Sequence, residues 1–310
     1  MTGSVRRFAL VLGLVGILGL TATSTVTGHG EEHEGPSFDV QVLKDPVEGW
    51  NILIVTEVRF APENVSTGHV EGEGHAHVYV DGVKVSRIYG MWHYLGDLAP
   101  GEHEIRIELS NNDHTPITTG EHVLEQIVTV QQPEPAGPVA TPEPREVRSD
   151  LPIPSVSAEA VHDPAGGFNL RIAVENFDLA PVKASRDPVD GEGHARLAIN
   201  GERVTRIYEE WTQITGLEAG QHEITVALVA NDHAPLTHDG EPIQATFTLD
   251  ATAELLADSG EHHHDAGSGN MGDHEHSDEM DMGDGDHADD ADMSDMDMGD
   301  EQPMHDMATG

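Results

Sequence analysis

One stretch of the chain, residues 72–82 with the sequence GEGHAHVYVDG, returns at residues 191–201 as GEGHARLAING, and the offset of 119 residues carries much else with it. The same shift places Arg87, Ile88 and Tyr89 on Arg206, Ile207 and Tyr208, and Trp92 on Trp211. It also places His103 and Glu104 on His222 and Glu223, Asn112, Asp113 and His114 on Asn231, Asp232 and His233, and Pro116 on Pro235. Several identical strings at one offset define an internal duplication. A period this long means two whole domains, because solenoid units run at roughly 20–50 residues. The 310 residues leave room for two such domains and appended segments.

Within residues 37–130, runs at 38–43, 50–60, 75–80, 104–109 and 125–130 alternate apolar with polar residues, are rich in Val and Ile, and are separated by Gly, Pro, Asn and Asp. These are strand and turn signals. Residues 155–250 repeat them, most clearly at 170–174, 194–199, 223–229 and 244–249. Asp81-Gly82 and Asn200-Gly201 occupy matching places and tolerate positive φ, so both read as two-residue hairpin turns. No stretch has helical periodicity. The expected fold class is all-β, with two tandem immunoglobulin-like or cupredoxin-like β-sandwich domains. Between them, residues 131–154 contain Pro133, Pro135, Pro138, Pro142, Pro144, Pro152 and Pro154, the composition of a semi-rigid linker. Residues 251–310 offer almost nothing to bury apart from Ala253 to Ala257, and are expected to be a disordered acidic tail.

Fifteen Lys and Arg stand against 57 Asp and Glu, a net charge of -42. Such a surface repels nucleic acid and anionic membranes and attracts cations. From Asp258 onward there are 18 acidic residues and no basic one, under half of the excess, so the acidity is general and a saline habitat would also produce it. The absence of cysteine rules out disulfides, thiolate metal sites and cysteine nucleophiles. Arg6 and Arg7 precede an apolar run at 8–20 and a small-residue stretch at 21–27, the layout of a secretory signal over residues 1–28. The expected location is periplasmic or extracellular, with an uncleaved anchor as the alternative. Cleavage after Gly28 would leave the amine and imidazole of His29 free, with His33 nearby, as a copper site.

The tail carries the strongest chemical signal. It holds His262, His263, His264, His274, His276, His287 and His305, together with eight of the ten methionines, among them Met280, Met282, Met293, Met296, Met298, Met304 and Met307. Methionine normally fills cores and is out of place in an acidic segment without one. Thioether sulfur selects Cu(I), whereas imidazole suits Cu(II), zinc and nickel. A bland reading remains, a solubilising tail. The folded repeats offer a second candidate. His75 and His77 lie two apart on a strand and share a face, while Ala76, Val78 and Val80 share the other, so the imidazoles are expected to point outward from the core. His103 is expected at the core rim, and His114 in a loop. Met91 and His93 flank Trp92 in another loop. Asp113 and Glu73 are the nearest carboxylates in sequence to orient these rings. The second repeat keeps His194, His222 and His233 but has Arg196 in place of His77. The trio common to both copies therefore reads as architectural, and His77 as what sets the first copy apart.

The strings GEGHAHV, GEHEIRIEL and NDHTP, in that order and repeated with variations, resemble a family of small secreted bacterial domains of unknown function. That resemblance implies a β-sandwich and export, and the departure at Arg196 puts any binding by the second copy in doubt. The MDM, MSDMDM and MHDM strings resemble the Met- and His-rich segments of periplasmic copper-resistance and copper-storage proteins, which implies copper handling. No enzyme is expected: there is no GxSxG elbow, phosphate loop, HExxH or Ser-His-Asp pattern. The expected function is copper buffering, resistance or delivery outside the cytoplasm, with zinc or nickel as other possible ions and a copper-accepting protein as a possible partner. The competing expectation is a cell-surface or matrix interaction protein with an acidic solubilising tail.

Overall fold

The computed structural model describes residues 35–134, 137 and 139–257; the leader 1–28, the segment with His29 and His33, and the tail from Asp258 lie outside the described residues. In the first repeat the strands are β1 (Phe38–Lys44), β2 (Trp50–Thr56), β3 (Arg59–Phe60), β4 (Glu73–Val80), β5 (Val83–Ile88), β6 (Trp92–Gly96), β7 (Gly101–Ser110), β8 (Thr118–Thr119), β9 (His122–Val123) and β10 (Glu125–Gln132). A three-stranded sheet in the order β1-β2-β6 covers a larger one in the order β10-β7-β4-β3, with β5 paired to β4. After β11 (Arg145–Glu146), the second repeat lays down β12 (Ser155–His162), β13 (Phe168–Glu175), β14 (Asp178–Leu179), β15 (Glu192–Ile199), β16 (Glu202–Ile207), β17 (Trp211–Ile214), β18 (Gly220–Ala230), β19 (Leu236–His238), β20 (Glu241–Pro242) and β21 (Gln244–Ala251). Its sheets, β12-β13-β17 and β14-β15-β18-β21 with β16 on β15, copy the first pair. The described residues form two β-sandwiches in tandem.

Alternation explains each core. In β4 and β7 the inward set Ala76, Val78, Ile105, Ile107 and Leu109 is fully buried and meets Val40, Val42, Ile52 and Ile54 of the smaller sheet. The second core repeats this with Leu170, Ile172, Leu197, Ile224, Val226 and Leu228. Each such Ile or Leu contributes about 1.5–3 kcal/mol by leaving water. The hairpin turns are as expected, with φ of 50° and 82° at Asp81 and Gly82 and 53° and 80° at Asn200 and Gly201.

Strand β5, the second arm of the expected Asp81-Gly82 hairpin, exposes Val83 and Val85 to solvent. Three expectations need correction. Trp92 and His93 begin strand β6 rather than sitting in a loop. The proline-rich segment is partly sheet: β11 pairs in parallel with β19, and Glu146 accepts hydrogen bonds from the Thr237 hydroxyl (2.8 Å) and the Gly240 amide (3.2 Å). Two residues at a sheet edge fit between prolines, where a longer central strand would not. At the C-terminal end, Ala251 completes β21 and Ala253–Ala257 forms a short helix, α1, whose Leu255 and Leu256 pack on the second core. Among the described residues no helix is long and apolar enough to cross a membrane.

The sandwiches meet with β6 against β16 and β5 against β17. Each lends the other a buried aspartate from the connection between its first two strands. Asp163 is paired with Arg87 of the first repeat, and Asp45 with Arg206 of the second at 2.9 Å. Tyr94, Ala184 and Tyr208 are buried at the junction with Trp92 packed on them, and the Arg206 guanidinium sits 4.2 Å from the Tyr94 ring centre.

Candidate metal centre

The outer face of β4 carries His75 and His77. They do leave the core as the alternation requires, but they do not reach solvent: both are buried, because the connection from β3 to β4, the turn after β7 and the second repeat's Asp163 loop close over them. His114 arrives from the turn after β7 with its backbone in the left-handed region, φ 66°. Its Nδ1 lies 3.1 Å from His75 Nε2, which is 2.9 Å from His77 Nε2. One nitrogen from each of the three rings falls within 4.8 Å of the other two. Three imidazoles bonded to one ion at about 2.0–2.1 Å need their nitrogens roughly 3.3–3.5 Å apart; the two separations from His75 are a few tenths of an ångström shorter than that, and the His77 and His114 nitrogens lie within 4.8 Å of each other.

Burial keeps all three rings neutral. It pushes His75 well below the ordinary imidazole range, His77 down to about 4 against the opposing pull of Glu108, and His114 down to about 3. Neutral imidazole is the ligand form. The outward nitrogens are partnered on two rings. His77 Nδ1 faces Ser110 Oγ at 3.3 Å and Glu108 Oε1 at 3.8 Å, and His114 Nε2 meets Ser66 Oγ at 2.9 Å. Ser66 in turn donates to Asp163 Oδ1 at 2.6 Å. The ammonium of Lys84 donates to His77 Nε2 at 3.3 Å, so an ion here would displace it along its flexible stem.

Other expected residues lie elsewhere. His103 does not join the cluster: its Nδ1 meets Asp81 Oδ2 at 2.6 Å and its Nε2 the Ala99 carbonyl at 2.7 Å, tying a hairpin to the strand end. His222 does the same with Asn200 and Glu218. Neither expected carboxylate orients a ring. Glu73 is held by Arg59, Asn64 and Asn112, and Asp113 by Thr115. The tail residues from His262 to Met307 lie outside the described residues.

The residues that sequence reasoning missed are Ser66, Glu108, Ser110 and Asp163. A signal for two of them was present. At the same 119-residue shift, Glu108 and Ser110 become Ala227 and Val229, so the second copy loses the polar partners along with the third histidine. There, His233 Nδ1 still lies 3.3 Å from His194 Nε2, and Arg196 reaches across to the His233 carbonyl at 2.9 Å.

No family model matches the chain, and no curated protein does. Among solved structures it is similar to the fibronectin(III)-like modules of Clostridium thermocellum CbhA, at 17% identity over 73% of this chain and 98% of that one, with a TM-score of 0.21. It is also similar to the central fibronectin-III array of RIM-binding protein, at 13% identity over 72% of this chain and 64% of that one, with a TM-score of 0.21. A Parabacteroides merdae beta-glucuronidase matches at 11% identity and a TM-score of 0.21, and this chain spans 24% of it.

Proposed function

We propose that the chain is an exported metal-binding protein with one defined site in its first repeat, formed by His75, His77 and His114, and that copper is the ion it buffers or delivers. The observation that supports this is the convergence of three neutral imidazole nitrogens on one point, with outward hydrogen bonds on two of the rings. Three imidazoles suit copper, zinc and nickel alike. The preference for copper comes from the tail, whose thioethers would take Cu(I) and pass it to the folded site or to an accepting protein.

The test is a titration of the full chain, and of a version ending at Ala257, with Cu(I), Cu(II) and Zn(II). The shortened chain should bind one equivalent, and His77→Ala in that background should remove it. Failure of the shortened chain to bind any of the three ions would defeat the folded site. Tighter binding of zinc than of Cu(II) would replace copper as the ion.

A further inference from the structure

We infer that Asp163, supplied by the second repeat, is a positioning residue for the first repeat's metal site, acting through Ser66 on His114. This rests on the metal reading above. The argument is one of proton counting. A carboxylate only accepts, so the single hydroxyl proton of Ser66 goes to Asp163 Oδ1, 2.6 Å away. Ser66 Oγ then has only lone pairs for His114 Nε2 at 2.9 Å, and that nitrogen must carry the ring's proton. The consequence is a lone pair on Nδ1, the atom that faces His75 and the centre of the cluster. The aspartate is held for this task. The Ala165 amide donates to Oδ1 at 2.9 Å and Asn169 to Oδ2 at 3.1 Å, and Arg87 pairs with Oδ2. Burial alone would raise its pKa, yet these partners leave the carboxyl below its usual range. The first repeat therefore cannot complete its own site, and a carboxylate–serine–histidine relay crosses between the repeats.

The second repeat contains the matching control. Ser185 donates to Asp45 Oδ1 at 2.5 Å and meets His233 Nε2 at 2.7 Å, the same wiring on a copy that lacks the third histidine. Ser66 and Ser185 also share a left-handed backbone, φ 63° and 61°, so their alanine variants perturb the fold alike.

The experiment titrates the full chain with Co(II), whose visible absorption reports a three-nitrogen site, with His77→Ala supplying the background from the tail. Ser66→Ala should weaken Co(II) binding about 10–100-fold and change the spectrum. Ser185→Ala should leave affinity within about twofold. Asp163→Asn against Asp45→Asn should repeat the contrast. Imidazole nitrogen shifts of the metal-free protein give a second readout, with the proton on His114 Nε2 in the wild type and Ser185→Ala but redistributed in Ser66→Ala. If the wild type binds and the two serine variants weaken it equally, this inference falls and the metal reading stands. If the wild type shows no Co(II) signal above His77→Ala, both fall.

Discussion

The two repeats share strand order, hairpin turns, a buried Asp–Arg pair in each direction and a serine-held histidine, yet one face of one sheet differs. On β4 and β7 of the first repeat that face is His75, His77, Glu108 and Ser110; on β15 and β18 of the second it is His194, Arg196, Ala227 and Val229. Where the first copy brings three imidazole nitrogens together, the second places a half-buried guanidinium whose pKa burial lowers to about 10. A fixed cation cannot be loaded or released. The shared features therefore hold the fold and the junction, and the proposed chemistry falls on the face that differs.

The largest expected effect tests the shared part. Asp45→Ala should destabilise by about 3–5 kcal/mol in denaturant unfolding, because it leaves Arg206 buried without its partner. Arg87→Ala should do the same through Asp163. A loss under about 1 kcal/mol from either would mean that the repeats do not depend on each other. Next come the glycines at the start of the histidine strands. A Cβ on Gly74 would lie 2.2 Å from the Ser110 carbonyl oxygen, and one on Gly193 2.0 Å from that of Val229. Gly74→Ala and Gly193→Ala should each cost about 1–3 kcal/mol, read by thermal unfolding. Only the first should also weaken metal binding, since Ser110 partners His77.

The differing face is tested by transplanting it. Arg196→His with Ala227→Glu and Val229→Ser should raise the stoichiometry of the shortened chain from one ion to two, as read by equilibrium dialysis. Arg196→His alone should give a second site at least about tenfold weaker, since its ring lacks outward partners. An unchanged stoichiometry in the triple variant would show that these three positions do not define the difference.

The smallest effect concerns His103 and Asp81, which in the second copy are His222 and Asn200. The bond to Asp81 raises the His103 pKa above its ordinary 6.5, and the Glu104 amide and His103 lower that of Asp81 below 3.8. The histidine's contribution is complete below 6.5 and fades as pH rises through the raised value. The aspartate's is complete above 3.8 and fades as pH falls through the lowered one. Asp81→Asn should thus lower the melting temperature most between those limits, less above the raised histidine value, where the bond from the Glu104 amide to the ionised Asp81 persists, and not at all well below the lowered aspartate value. A shift independent of pH would assign the effect to the turn alone.

Much of this was legible before any coordinates. The 119-residue repeat, the alternation in β4 and β7 and the Asp-Gly and Asn-Gly turns are local patterns, and they sufficed for the sandwiches and for singling out His77. The burial of His75 and His77 was not legible. Alternation says which face leaves a strand's own core, but not that a second domain lies there. The Asp45 and Asp163 pair escaped for a simpler reason. Between Ile54 and Val58 there is one residue fewer than between Ile172 and Phe177, so ahead of that point the copies align at 118, and a shift of 119 puts Asp45 on Pro164. Ser66 and Ser185 did align, but a serine in a polar turn carries no sign of its role until Asp163 is seen beside it.

The crossed aspartates have a consequence for how such a chain diverges. Asp45 to Arg206 and Asp163 to Arg87 are the contacts that two identical subunits would exchange about a two-fold axis, an isologous interface written into a single polypeptide. In a dimer of identical chains the association would depend on concentration, and every substitution would appear at both sites at once. Tethered through residues 133–154, the halves meet at an effective concentration fixed by the linker, and each mutates alone. Arg196 can thus stand in one half while His77 stands in the other.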